Sequence, residues 1–168
     1  KGAKKPVYIF ANKPLFGEDD PEEAAINDLE NYLADHHLQP SIYVHRGHSF
    51  HVKSTLKRIG PSARIVLLGS CGGYNNLSEI LSISEDAHII SSKQTGTMFV
   101  NDPLLQAINN RLLAGKNINW ISLWQSLAAR LGTSAARASF DDYIPPYKNL
   151  GAMFMKAYKQ ALVKRDHE

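Results

Sequence analysis

Apolar residues along the chain follow two different periods, which alternate from one segment to the next. Runs typical of short strands occupy residues 6–11, 41–45, 63–69 and 87–92. Apolar residues spaced three or four positions apart predict helices, which we place from Glu22 onward and at 52–60, 76–83, 102–115, 118–132 and 149–165. This alternation indicates an α/β fold, a three-layer sandwich in which helices cover a mostly parallel sheet of about four or more strands.

Some helix boundaries carry recognisable start and stop residues. The sequence DDP at 19–21 predicts the start of the first helix. In the helix at 102–115, Asp102 is expected to cap the N-terminus, with Pro103 in the first turn and Gly115 at the end. The segment FDDYIPPYKN at 140–149 is expected to be a long polar loop, placed to cover a site.

Composition and charge narrow the class of protein. The 168 residues, 43% hydrophobic and 21% charged, suit one globular domain. No apolar run approaches the roughly 20 residues of a membrane helix, so no membrane span is expected. The net charge of +3 is scattered apart from basic ends, which argues against a nucleic-acid partner. The chain opens at KGAKKP without Met, so we expect a fragment whose parent chain supplies further domains.

The segment RIVLLGSCGG holds the most informative chemistry. Its single cysteine, Cys71, excludes an internal disulfide and lies two residues beyond an apolar strand. The preceding predicted strand runs into a segment that contains His45, His48 and His51, and the helix at 52–60 would make the two strands parallel neighbours. Functional groups of open α/β sheets collect at the carboxyl ends of strands, so a thiol and an imidazole are expected close together there.

Three other interpretations of this region remain open. A lone cysteine near a strand end is often a small buried hydrophobe. The three histidines could bind metal, although no nearby carboxylate or thiol set completes a familiar ligand pattern. The glycine-rich loop could cradle a phosphate, although it lacks the dinucleotide fingerprint and the Lys-Ser/Thr of a P-loop. A nucleophile, by contrast, would use the unobstructed backbone at Gly72 and Gly73 to hold an oxyanion.

The order of these motifs resembles the caspase-like clan of cysteine peptidases, which includes caspases, gingipains, clostripain, legumain and separase. The segments IYVHRGHS and ARIVLLGSCGG match the clan's histidine strand, helix and cysteine strand over roughly residues 40 to 73. GSCGG also fits the nucleophile elbow of class I glutamine amidotransferases, in which the histidine follows the cysteine. Here the later histidines are His88, inside a predicted strand, and His167, in the tail, so the caspase-like order fits better.

The resemblance implies a cysteine endopeptidase in a single domain over residues 1–168, with a peptide or protein as substrate and no cofactor or metal. Cys71 would be the nucleophile and His48 the imidazole, with His45 and His51 as alternatives, and Ser49 and Gly72 would form the oxyanion hole. The chain departs from the clan in having Ser49 where glycine is usual, only 23 residues from His48 to Cys71, and one strand before the histidine strand instead of two. A catalytically inactive, caspase-like binding module is the alternative function.

Substrate selection is expected to depend on residues 91–102, which follow the fourth predicted strand. Members of the clan select a charged substrate side chain on the N-terminal side of the scissile bond. Lys93 would suit an acidic side chain and Asp102 a basic one, unless Lys93 is simply exposed and Asp102 only caps its helix.

Overall fold

The structure is a computed structural model that describes residues 6–12, 21–133 and 135–165. It is an α/β fold with an open, four-stranded, mostly parallel sheet in the order β1-β2-β3-β4. The strands are β1 (Ile42–His45), β2 (Ile65–Leu68), β3 (His88–Ser92) and β4 (Tyr143–Ile144). The helices are α1 (Pro21–Asp35), α2 (Val52–Leu56), α3 (Leu77–Ile83), α4 (Met98–Leu113), α5 (Trp120–Leu131), α6 (Ala135–Asp141) and α7 (Leu150–Arg165).

The buried core lies on both faces of the sheet. Strands β1, β2 and β3 are parallel, while β4 pairs antiparallel with the end of β3. Because successive side chains of a strand point to opposite faces, Ile65 and Leu67 join one cluster with residues of α4 and α5, and Val66 and Leu68 join another with residues of α2 and α3. All four side chains of β2 are buried, as its uniformly apolar sequence predicts for a strand covered on both faces.

Three predicted strands are confirmed, and the prediction for residues 6–11 is wrong. Residues 6–12 form neither helix nor strand, and the apolar side chains from Val7 to Phe10 are 36% to 73% exposed. A strand needs both a partner backbone and a buried face, and in the part of the chain that the structure describes this segment has neither. The fourth strand is instead β4, which lies inside the segment 140–149 that the sequence predicts as a loop.

The start of α4 also differs from the prediction. Thr97 is the N-cap, and its hydroxyl oxygen accepts a hydrogen bond from the Phe99 N–H at 3.3 Å. Asp102 and Pro103 therefore lie inside the helix, one turn beyond its start, and Asp102 is not a cap. The predicted end is confirmed, because Gly115 follows the helix in a left-handed conformation with φ of +63°.

The other predicted helices are present with shifted ends. Helix α2 ends at Leu56, before the predicted end at residue 60, and α6 was not predicted. The predicted start of the first helix at 19–20 lies outside the described residues, and so does His167. No helix in the described ranges is long and apolar enough to cross a membrane.

Candidate functional site

The strand register brings Cys71 and His48 to the same edge of the sheet. His45 is the register partner of Leu68 in the parallel pair β1–β2, and the Gly69 N–H continues the ladder by donating to the His45 carbonyl at 2.9 Å. His48 and Cys71 each follow these paired residues by three positions. Both side chains are exposed. Adjacent parallel strands lie about 4.8 Å apart, so the register places the imidazole and the thiol on neighbouring loops.

Residues 69–73, here called the cysteine loop, are anchored through their backbone to the end of β3. The Ser70 carbonyl accepts a 2.6 Å hydrogen bond from the buried Ser92 hydroxyl. The Gly72 N–H donates to the Gln94 carbonyl at 2.8 Å. Gly72, the predicted oxyanion donor, therefore already has an acceptor, whereas the Cys71 N–H has none among the described residues.

The glycines of the cysteine loop are explained by packing and backbone conformation. Gly72 has φ of +64°, a left-handed conformation that favours glycine. A Cβ on Gly73 would lie only 2.5 Å from the Leu68 carbonyl oxygen, and a Cβ on Gly96 would overlap the backbone of Gly69. Gly73 and Gly96 need glycine because protein backbone passes close by, which differs from the predicted reason of an unobstructed backbone that holds an oxyanion.

A series of buried hydrogen bonds holds the cysteine loop against α4. The Asn101 side-chain amide donates to the Gly69 carbonyl at 2.9 Å, and the Tyr143 hydroxyl donates to Asn101 Oδ1 at 2.9 Å. The Tyr143 oxygen in turn accepts from the Thr97 N–H at 3.0 Å. Burial raises the pKa of the Tyr143 phenol above its ordinary value, the bond from Thr97 lowers it in part, and a negative charge on Cys71 adds to the increase.

Sequence reasoning missed both Asn101 and Tyr143. A signal was present for Asn101, which precedes the buried Leu104 and Ile108 by three and seven positions and so occupies the apolar face of α4. A polar residue on such a face is buried, and a buried amide needs partners. Tyr143 gave no comparable signal, because its segment was predicted to be a loop.

The histidine loop, residues 46–51, is held mainly by its neighbour His45. The buried His45 ring has Nδ1 2.9 Å from the Thr55 hydroxyl and Nε2 3.1 Å from the His48 carbonyl oxygen. Because a carbonyl can only accept, Nε2 carries the proton in that bond. Both ring nitrogens have partners, so His45 holds the loop in place. His48 is the exposed imidazole of this loop.

Ser49 opens a 3₁₀ turn, Ser49–His51, directly after His48. The first N–H groups of a helical turn have no acceptor within the turn, and the Ser49 N–H has no hydrogen-bond acceptor elsewhere among the described residues. This amide is therefore available to an oxyanion. His51 is half-buried at the end of the turn, where its ring meets that of Phe50 edge-on at 5.1 Å.

The two predicted specificity residues both have partners within the protein. Asp102 forms an ion pair with Arg46 of the histidine loop, and both side chains are about half exposed. The Lys93 ammonium lies 5.5 Å from the centre of the Tyr74 ring, and the Lys93 N–H donates to the Asp142 carbonyl at 2.9 Å. Any charged ligand would have to compete with these contacts.

Two buried hydroxyls at this edge, those of Ser70 and Ser91, have no hydrogen-bond partner among the described residues. In the described part of the chain, no group of three or more His, Cys, Asp or Glu side chains is arranged to hold a metal ion. Comparisons with known proteins give no further assignment, since the chain matches no protein-family model, no curated protein and no solved structure.

Proposed function

We propose that this protein is a cysteine endopeptidase in which Cys71 and His48 form a catalytic dyad. The observation that carries the proposal is the strand register, because both residues stand three positions beyond paired residues of adjacent parallel strands. Both side chains are exposed, as a thiol and an imidazole that meet a substrate must be. A caspase-like arrangement of the fold is part of this proposal, since the histidine strand, crossover helix and cysteine strand follow the clan's order.

The reaction proceeds through an acyl-enzyme. The Cys71 thiolate attacks the scissile carbonyl carbon, and the carbonyl electron pair moves to the oxygen. The C–N bond then breaks as the His48 imidazolium gives its proton to the leaving amine. His48, now neutral, takes one proton from water as the water oxygen attacks the thioester carbon. The C–S bond then breaks and releases the carboxylic acid product and the Cys71 thiolate.

The oxyanion is held by the N–H groups of Ser49 and Cys71, which have no acceptor among the described residues. Gly72 can contribute only if its hydrogen bond to Gln94 opens. That same bond favours the second candidate function, an inactive binding module, because it occupies one of the predicted oxyanion donors. The two functions differ in the reactivity of Cys71.

The dyad is tested by the rate of Cys71 alkylation by iodoacetamide as a function of pH. Ordinary thiols titrate near about pH 8.5 and label slowly in acidic solution. We expect the wild type to label nearly as fast at about pH 6.5 as at about pH 8.5, because an imidazolium stabilises a neighbouring thiolate. In His48→Ala, labelling in acidic solution should fall roughly ten-fold or more.

The matched control is His36→Ala, which removes an exposed histidine at the end of α1, outside the histidine loop. It should leave the pH profile unchanged. If a folded His48→Ala variant has the same profile as the wild type, the dyad is wrong and the binding module becomes the better function. If the pH profile is as expected, a peptide library is then screened for cleavage by the protein.

A further inference from the structure

A cleft of about 460 Å³ opens beside the first turns of α4, close to the candidate site. We propose that this cleft, here called the α4 cleft, binds an apolar side chain of the peptide substrate near the scissile bond. The inference rests on the proposed peptidase function and names the substrate class of the same site. The apolar walls are formed by Met98, Phe99, Pro103 and Leu131, and the polar lining by Asp102, Gln106 and Arg130.

Residues of α4 at or near the α4 cleft contact both loops of the candidate site. Gly96 and Asn101 contact Gly69 of the cysteine loop, and they flank Met98 and Phe99 in the sequence. Asp102 at the wall of the cleft pairs with Arg46, two residues before His48. In the proposal, a peptide held with its carbonyl at Cys71 extends along α4 into this cleft.

The polar groups of the cleft are already paired with one another or with the histidine loop. Gln106 Oε1 accepts hydrogen bonds from both terminal nitrogens of Arg130, at 3.1 and 3.2 Å. Asp102 is neutralised by Arg46. A basic substrate side chain must displace Arg46 from Asp102 and an acidic one must share Arg130 with Gln106, whereas an apolar side chain leaves both contacts intact.

The apolar walls, by contrast, remain open to water. Met98 is 60% exposed and Phe99 is 69% exposed, on the first turn of α4. A bound apolar side chain would remove part of this surface from water, which favours binding. Methionine also adapts to side chains of different shape, so we expect a preference for apolar residues as a class. This differs from the charged side chain that the clan resemblance implies.

The test uses peptide acyloxymethyl ketones, which react with cysteine nucleophiles, in a series that differs in one side chain at a time. Each of the three positions before the electrophile carries Leu, Phe, Lys or Asp in turn. Each rate of Cys71 labelling is divided by the iodoacetamide rate of the same protein, so that differences in thiol reactivity cancel. At one position we expect Leu or Phe to exceed Lys and Asp about ten-fold or more.

The variant Met98→Ser/Phe99→Ser should reduce this preference to about two-fold or less, since its cleft offers little apolar surface. Leu113→Ser is the matched control, because Leu113 is 55% exposed at the far end of the same helix. It should keep the wild-type preference. Both substitutions are on exposed side chains, so they leave the buried core intact.

The outcomes separate the two proposals. Rapid, His48-dependent iodoacetamide labelling without an apolar preference, or with a preference that survives in Met98→Ser/Phe99→Ser, overturns the α4 cleft alone. A preference for Lys that disappears in Asp102→Asn also overturns it, because the cleft would then recognise charge. Slow iodoacetamide labelling at a rate that is unchanged in His48→Ala overturns the proposed peptidase function, and with it the inference about the α4 cleft.

Discussion

The cysteine loop and the histidine loop leave adjacent strands of one sheet, yet different kinds of contact hold them. The cysteine loop is fixed by buried hydrogen bonds from Asn101 and Ser92 and by backbone that passes close at Gly96. The histidine loop is held by the His45 ring and by an exposed ion pair between Arg46 and Asp102. The backbone at Cys71 is thus held by several buried contacts, and the backbone at His48 by one buried ring and one exposed ion pair.

The difference has a physical consequence. A buried carbonyl or amide that loses its partner costs about 1–3 kcal/mol, whereas an exposed ion pair contributes about 0–1 kcal/mol. Changes at the cysteine loop should therefore unfold or distort the protein. Loss of the Arg46–Asp102 pair should shift the histidine loop at little cost in stability. In the proposed dyad, the attacking atom would be firmly held and the proton carrier free to adjust.

The largest effect is expected for Gly96→Ala. A Cβ at this position overlaps the backbone of Gly69, and backbone cannot rotate away as a side chain can. We expect the free energy of unfolding to fall by about 3 kcal/mol, as measured by urea denaturation. The control is Gly60→Ala, since the atom nearest to a Cβ there is the Tyr43 hydroxyl at 3.4 Å, an ordinary contact. Equal stability of the two variants would mean that the cysteine loop is not tightly held.

An intermediate effect is expected for Asn101→Ala. It leaves the Gly69 carbonyl without its donor and the Tyr143 hydroxyl without its acceptor. The free energy of unfolding should fall by about 2 kcal/mol. Asn110→Ala removes an exposed asparagine of the same helix and should change it by less than about 0.5 kcal/mol.

A double-mutant cycle with Tyr143→Phe sharpens this result. Because Asn101 and Tyr143 belong to one hydrogen-bonded chain, their effects should not add, with a coupling of about 1 kcal/mol. Strict additivity would show that the two residues stabilise the cysteine loop independently, against the structure.

The smallest effect is expected for Arg46→Ala. It removes the ion pair with Asp102, and the free energy of unfolding should fall by less than about 1 kcal/mol and depend on salt. Lys159→Ala, which breaks the exposed pair with Glu85, is the matched control and should behave similarly. The comparison between the loops fails if Arg46→Ala destabilises the protein as much as Asn101→Ala.

Much of this arrangement could be predicted from the sequence because it depends on local pattern. The apolar runs placed β1, β2 and β3, and counting residues beyond them placed Cys71 and His48 at one edge of the sheet. The helix-containing segments between these strands are long enough for crossover connections, which favours parallel pairing.

The remaining features depend on contacts between distant segments. Residues 6–11 have the composition of a strand, but composition does not supply a partner backbone. Asp102 has the chemistry of a helix cap, and only the structure shows that Thr97 begins the helix one turn earlier. The bond between Tyr143 and Asn101 joins residues 42 positions apart, and no local pattern reports it.

The position of β4 in the chain also affects the order of assembly. Strands β1 to β3 come from residues 42–92 and can pair as soon as that stretch has left the ribosome. Tyr143, which completes the hydrogen-bonded chain beneath the cysteine loop, is made roughly fifty residues later. We therefore expect a nascent chain that already holds its parallel sheet to lack the finished support for Cys71, so that the thiol acquires its final setting late in synthesis.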